Sequence, residues 1–175
     1  MDLKEYIRSI PDYPKKGILF RDITTLIKNE KAFTYCIDQI VEKSKQFDFN
    51  KIAAVESRGF VFASAVSYIL NKPFILLRKK NKLPAETHSV DFKLEYGTAT
   101  IEMHKDSINR NDTVLVIDDL IATGGTAEAA AKLIKISEGK VTGFIFVINL
   151  FDLGGCDKLI KQNYKVENLI NFPGH

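Results

Sequence analysis

The sequence predicts an α/β fold built on one mostly parallel central sheet flanked by helices. Strand-like runs at 52, 74, 114 and 143 alternate with segments of helical periodicity, the pattern of strands joined by right-handed crossovers. The run Val114 to Ile117 is apolar without alternation, which suits a strand buried on both faces of a parallel sheet. The chain has 175 residues, 45% of them apolar and 27% charged, enough for one domain with a real core. A single domain over 1–175 is therefore expected, with residues 1–30 as a small N-terminal hood, 31–160 as the core and a lid at about 80–105.

The elements follow in order. Residues 2–10 read as a short amphipathic helix, with Leu3, Tyr6, Ile7 and Ile10 at helical spacing and Pro11 as its stop. The next stretch, PDYPKKGILFRDIT, has two prolines and a glycine and reads as ordered but irregular. Residues 31–46 put Phe33, Cys36, Ile37, Ile40 and Val41 on one stripe, a packing helix. IAAV at 52–55 is a buried strand, followed by the loop ESRG and an apolar helix at 60–70. Pro73 opens a second strand, FILLRKK, which runs into Arg78, Lys79, Lys80 and Lys82. Residues 83–105 alternate around Tyr96 and Gly97, with TATIEMH as a strand, so a β-hairpin arm able to act as a flexible lid is expected. After the strand at 114 comes a helix at 127–137, ending near Gly139 as its C-cap, and then the core strand VTGFIFVINL. Gly154, Gly155 and a polar tail close the chain.

Composition narrows the function classes. A net charge of +3, spread along the chain, argues against a nucleic-acid stripe and is met by small phosphorylated ligands. Cys36 and Cys156 are far apart and fit no metal spacing, so free thiols are expected. His88 and His104 have no second histidine at metal spacing, and a structural or surface role is expected for both. No apolar run approaches the length of a membrane span, and a cytoplasmic location is expected.

The chemistry concentrates in VLVIDDLIATGGT, residues 114–126. It reads as strand, acidic loop, glycine turn and helix. Gly124 and Gly125 let the backbone come close to a bound group, and Thr123 and Thr126 add hydroxyls. The free N–H groups of the first helical turn point the same way as the positive end of the dipole. That is an anion cradle suited to a phosphate monoester. Asp118 and Asp119 would repel a phosphate unless they face vicinal hydroxyls or a divalent cation. The bland reading is an ordinary αβ connection with the acids as helix caps; against it stands the coincidence of glycines, hydroxyls and paired acids in one loop at a strand end. Neither GxxxxGK[ST] nor GxGxxG is present. The ESRG loop repeats the plan, with Gly59 permitting close approach and Arg58 supplying a cation, although a solvated turn would look the same.

The signature resembles the phosphoribosyl pyrophosphate (PRPP) motif of type I phosphoribosyltransferases. PDYPKKGILFRDIT at 11–24, ESRGF at 56–60, LRKKNKLP at 77–84 and LEYGTATIEMHKD at 94–106 narrow the resemblance to the adenine phosphoribosyltransferases. It implies the type I fold, with hood and lid, and conversion of adenine and PRPP to AMP and diphosphate with Mg²⁺. Ala122, Thr123, Gly124, Gly125 and Thr126 would bind the 5′-phosphate, and Glu56, Ser57, Arg58, Gly59, Arg78 and Lys82 the diphosphate. Arg78 and Lys82 often approach it from a partner subunit in this family, implying a homodimer. Phe20, by base rates a core aromatic, would stack on the purine, with main-chain groups of Leu19 and Arg21 reading its edge and Leu120 covering its other face. Glu95 would exchange the purine proton, and Asp118 and Asp119 would hold the ribose hydroxyls and face the metal. The family commonly has an acid where Asn149 stands and an arginine near Cys156, so this chain departs from the pattern locally at that sheet end. Two alternatives stay open: a transferase for a 6-oxopurine, and a PRPP-sensing regulator without turnover.

Overall fold

The computed structural model describes residues 1–93 and 97–174. A 3₁₀ turn, Leu3–Tyr6, leads into β1 (Arg8–Pro11), β2 (Leu19–Asp22), α1 (Thr24–Ile27), α2 (Glu30–Ser44), β3 (Lys51–Val55) and α3 (Arg58–Leu70). Next come β4 (Phe74–Lys79), β5 (Thr87–Lys93), β6 (Thr98–His104), β7 (Thr113–Ile121) and α4 (Gly125–Ile136). The chain closes with β8 (Lys140–Leu150), a 3₁₀ turn at Phe151–Leu153, α5 (Gly155–Lys161) and β9 (Val166–Phe172).

Seven strands form the central sheet in the order β5-β6-β4-β3-β7-β8-β9. The pairs β3–β4, β3–β7, β7–β8 and β8–β9 are parallel, while β4–β6 and β5–β6 are antiparallel. This is the expected α/β architecture, with the hairpin arm added at one edge and β7 near the centre. Val114, Leu115 and Ile117 are fully buried, as an unbroken apolar run requires of a strand covered on both faces. Helices α2 and α3 help to cover one face, through Ile37, Ile40, Phe62 and Val66. On the other face lies α4, packed through Ala130, Leu133 and Ile134.

Four local expectations change. Residues 2–10 are not one helix: a single 3₁₀ turn gives way to β1, which pairs antiparallel with β2 from Arg8↔Asp22 to Pro11↔Leu19. The irregular stretch at 11–24 therefore contains a strand, and this two-stranded sheet is separate from the main one. The polar tail holds α5 and β9, an edge strand that exists because β8 offers it a partner. At the end of α4 the left-handed residue is Glu138 (φ 61°), not Gly139. Gly139 is required for space instead, since a Cβ there would lie 2.8 Å from Ile108 Cγ2.

Candidate active site

The carboxyl ends of β3, β7 and β8 open into a cleft of about 830 Å³. From β3 and its loop come Val55, Glu56, Ser57 and Arg58, and from β7 onward Asp118 to Ala127. Lys16 to Leu19, just before and at the start of β2, stand on another side, with Lys93 at the end of β5 and Gly174 two residues past β9.

The two acids lie inside β7 and not in a loop after it. The long strand β8 keeps pairing with β7 as far as Ile121↔Asn149, well past the apolar run. Asp118 Oδ1 accepts a hydrogen bond from the Asp119 N–H at 2.9 Å. Arg58 Nε sits 2.9 Å from Asp119 Oδ2 as an ion pair, yet without the angle of a hydrogen bond, so this buried oxygen has no hydrogen-bond donor. Burial pushes the Asp118 carboxyl well above the ordinary aspartate range, and repulsion from Asp119 adds to it. Burial also raises Asp119, with Arg58 opposing the shift. Such a pair titrates as a unit and awaits an electropositive or hydroxyl-bearing ligand. Gly59 lies against it: a Cβ there would stand 2.5 Å from Asp118 Oδ1.

Two helix N-termini meet this acid pair. Helix α4 starts from Gly124 at φ 85° and α3 from Ser57, and neither has a side chain bonded to its first-turn N–H groups. The contrast is α2, which lies away from the cleft and is capped by Asn29 accepting from the Ala32 N–H at 3.0 Å. Uncapped N-termini carry unpaired donors and a positive dipole end, which makes each a ready anion site. The cleft thus offers two anion sites with carboxylates between them.

Of the residues singled out from sequence, Leu19, Glu56, Ser57, Arg58, Asp118, Asp119, Leu120, Ala122, Thr123, Gly124, Gly125 and Thr126 line the cleft together. Phe20 does not line it. Its ring packs edge-on against Tyr13 at 5.1 Å, with the Arg58 guanidinium 5.2 Å from its centre, at the cleft's margin. The Arg21 side chain turns away: it donates to Ser9 Oγ and, at 2.8 Å, to the Pro173 carbonyl. Arg78 is also outside, held by Glu56 through Nε at 2.7 Å and donating to the Lys82 carbonyl at 3.3 Å; Lys82 does not line the cleft either. Glu95 lies outside the described residues.

Sequence reasoning passed over Lys16, Gly17, Ile18, Lys93, Gly155 and Gly174. The basic and glycine residues of PDYPKKG and the lysine just before LEYG were visible signals. Gly155, in the double glycine after β8, backs the 122–126 loop: its N–H donates to the Ala122 carbonyl at 3.0 Å, and a Cβ there would lie 2.3 Å from that oxygen. Nothing in sequence marks Gly174. Asn149 is buried with Nδ2 donating to Asn171 Oδ1 at 3.0 Å. Burial and Asp157 raise the half-buried Cys156 thiol to about 11, an unreactive state at neutral pH. Among the described residues no group of three metal-ligating side chains occurs. A divalent cation here would need most of its oxygens from substrate, and the acid pair with a donor-free Asp119 Oδ2 fits that supporting part.

Known proteins resemble this chain over nearly its whole length. A model of the phosphoribosyl transferase domain matches residues 23–171. The adenine phosphoribosyltransferase of Pelagibacter ubique strain HTCC1062 is 75% identical over 175 residues, covering 100% of both chains. The chain belongs to the adenine phosphoribosyltransferase family. Among solved structures, the adenine phosphoribosyltransferase of Thermoanaerobacter pseudethanolicus superposes with a TM-score of 0.93 at 45% identity, covering 97% of this chain and 98% of that one. The Saccharomyces cerevisiae enzyme, solved with adenine and an imino-altritol bisphosphate, gives 0.88 at 34% identity, with 96% of each chain covered. No described helix is long and apolar enough to cross a membrane.

Proposed function

We propose that the cleft binds PRPP and adenine and transfers the phosphoribosyl group to adenine N9, yielding AMP and diphosphate in purine salvage. The observation that carries this reading is the pair of uncapped helix N-termini with the acid pair, half-buried Asp118 and buried Asp119, between them. PRPP has a phosphate at one end, a diphosphate at the other and vicinal hydroxyls between, and so matches the cleft group for group. Relatives named for adenine, one solved with adenine bound, support the choice of base.

In this reading Ala122 to Thr126 and the start of α4 hold the 5′-phosphate, so binding energy remote from the reacting carbon fixes its position. Glu56 to Gly59 and the start of α3 face the diphosphate. Asp118 and Asp119 accept from the ribose hydroxyls and favour the positive charge that grows on the ring as the C1–O bond breaks. Arg58, which pairs with Asp119 in the free site, would move toward the leaving group. Asp118 and Asp119 would hold, on the protein side, a Mg²⁺ carried with PRPP, which would supply neutralisation of the diphosphate. Main-chain groups of Leu19 and Arg21, the Phe20 ring and Leu120 would hold adenine, and Glu95 would take the proton from its imidazole ring. Since Arg78 and Lys82 do not line their own cleft, we assign their diphosphate role to the cleft of a second copy in a homodimer. The unpaired Cys36 and Cys156 accord with a cytoplasmic location.

The test is a spectrophotometric assay with PRPP, Mg²⁺ and each of adenine, hypoxanthine, guanine and xanthine in parallel. Turnover with adenine alone is expected. A 6-oxopurine preference would refute the base assignment, and PRPP binding without turnover would favour a sensor.

A further inference from the structure

Reading a base through main-chain groups demands a fixed main chain, because a shift of about 0.5 Å spoils the hydrogen bonds. The strand that would do this, β2, has four residues and pairs only with the four-residue β1. A two-stranded sheet of that size is marginal alone, so its position must come from elsewhere. The Arg21 side chain, 5% exposed, supplies the link. Its guanidinium lies 4.4 Å from the Phe172 ring centre and donates to the Pro173 carbonyl and to Ser9 on β1. One residue on, the Gly174 N–H donates to Asp152 Oδ1 at 2.6 Å, and Gly174 itself lines the cleft beside Leu153.

The location of these groups is informative. The phosphoribosyl transferase model spans 23–171, while Ser9, Arg21, Phe172, Pro173 and Gly174 all lie outside it. What such transferases hold in common is the phosphoribosyl donor, so parts outside the shared span are free to answer to the acceptor. We propose that Phe172–Gly174 is a strut that fixes the base-reading strand β2 through the Arg21 side chain. Arg21 and Phe172 are thereby positioning residues for the acceptor base, and neither touches the donor. This rests on the adenine reading given above.

The experiment compares wild type, Arg21→Met and Phe172→Ala by KM for adenine, KM for PRPP, and the PRPP dissociation constant from calorimetry. The strut predicts that adenine KM rises by about tenfold in both variants, with PRPP affinity held within about twofold. Parallel weakening of both substrates, or an unchanged adenine KM in folded Phe172→Ala, overturns it. Phe172 lies on an edge strand, so this variant decides the matter even if Arg21→Met fails to fold. Wild-type protein inactive with adenine would instead remove the base assignment itself, an outcome readable before any variant is made.

Discussion

In the proposed reading, the donor side and the acceptor side of the cleft are built in opposite ways. Most of the donor side is local: β7, the glycine turn and α4 follow one another over Thr113–Ile136, and the adjacent parallel strand β3 adds the Glu56–Gly59 turn at its own carboxyl end. The acceptor side is assembled from distant pieces, β1 and β2 near one end of the described chain and Phe172–Gly174 near the other. A largely local wall suits a donor with fixed phosphate geometry, whereas a stitched-on wall can change with the base. Arg58 joins the two, since it pairs with Asp119, stands over Phe20 and reaches the Arg21 carbonyl at 3.5 Å.

If the donor side is rigid machinery, damage there should be severe. Asp119→Asn should fold and lose about tenfold or more in turnover, because it removes charge needed only as the ring becomes cationic; wild-type kcat in the folded variant would refute that role. Next in size, Gly155→Ala would drive a methyl group to 2.3 Å from the Ala122 carbonyl and 2.8 Å from the Gly124 nitrogen. Both are backbone atoms of the loop proposed to hold the 5′-phosphate, so PRPP KM should rise by about tenfold, while calorimetry should find adenine affinity little altered.

The acids also cost stability. Folded Asp118 and Asp119 titrate above their ordinary value of 3.8, so above that pH the folded chain retains protons that the unfolded chain has lost. Stability from this pair therefore falls as pH rises from about 4 until the folded pair has ionised. Asp118→Asn should raise Tm at neutral pH and flatten its decline with pH, although it costs activity. A lower Tm at neutral pH would contradict the burial argument.

The smallest effect belongs to the acceptor side. Burial alone would raise Asp22, but the Thr24 N–H and hydroxyl and the Arg8 guanidinium outweigh it and bring it down to about 2. Its contribution is thus present above 3.8 and lost as pH falls toward 2. Asp22→Asn should speed amide exchange in β1 and β2 at neutral pH, and the difference from wild type should vanish near pH 2.

The same contrast explains what was legible in the sequence. The β7 unit could be read because its apolar run, acids and glycines are contiguous, and each names its own environment. The extent of β7 could not, since the pairing that draws Asp118 and Asp119 into the strand is supplied by β8. The strands β1 and β2, RSIP and LFRD, carry no alternating pattern, and β9 buries Ile170 but leaves Asn171 exposed. All three depend on partners far away in sequence. Arg21 was read as a main-chain contact, but its side chain acts through residues more than a hundred positions away, which no local pattern announces. Lys93 and Gly155 left weaker marks, a base beside a turn and a doubled glycine, whose meaning depends on what packs against them.

The most direct measurement is a double-mutant cycle on kcat/KM, with Thr126→Ala on the donor side and Phe172→Ala on the acceptor side. Separately built halves predict that the two losses add in free energy to within about 0.5 kcal/mol. A coupling well beyond that would contradict the division and make the cleft one cooperative unit.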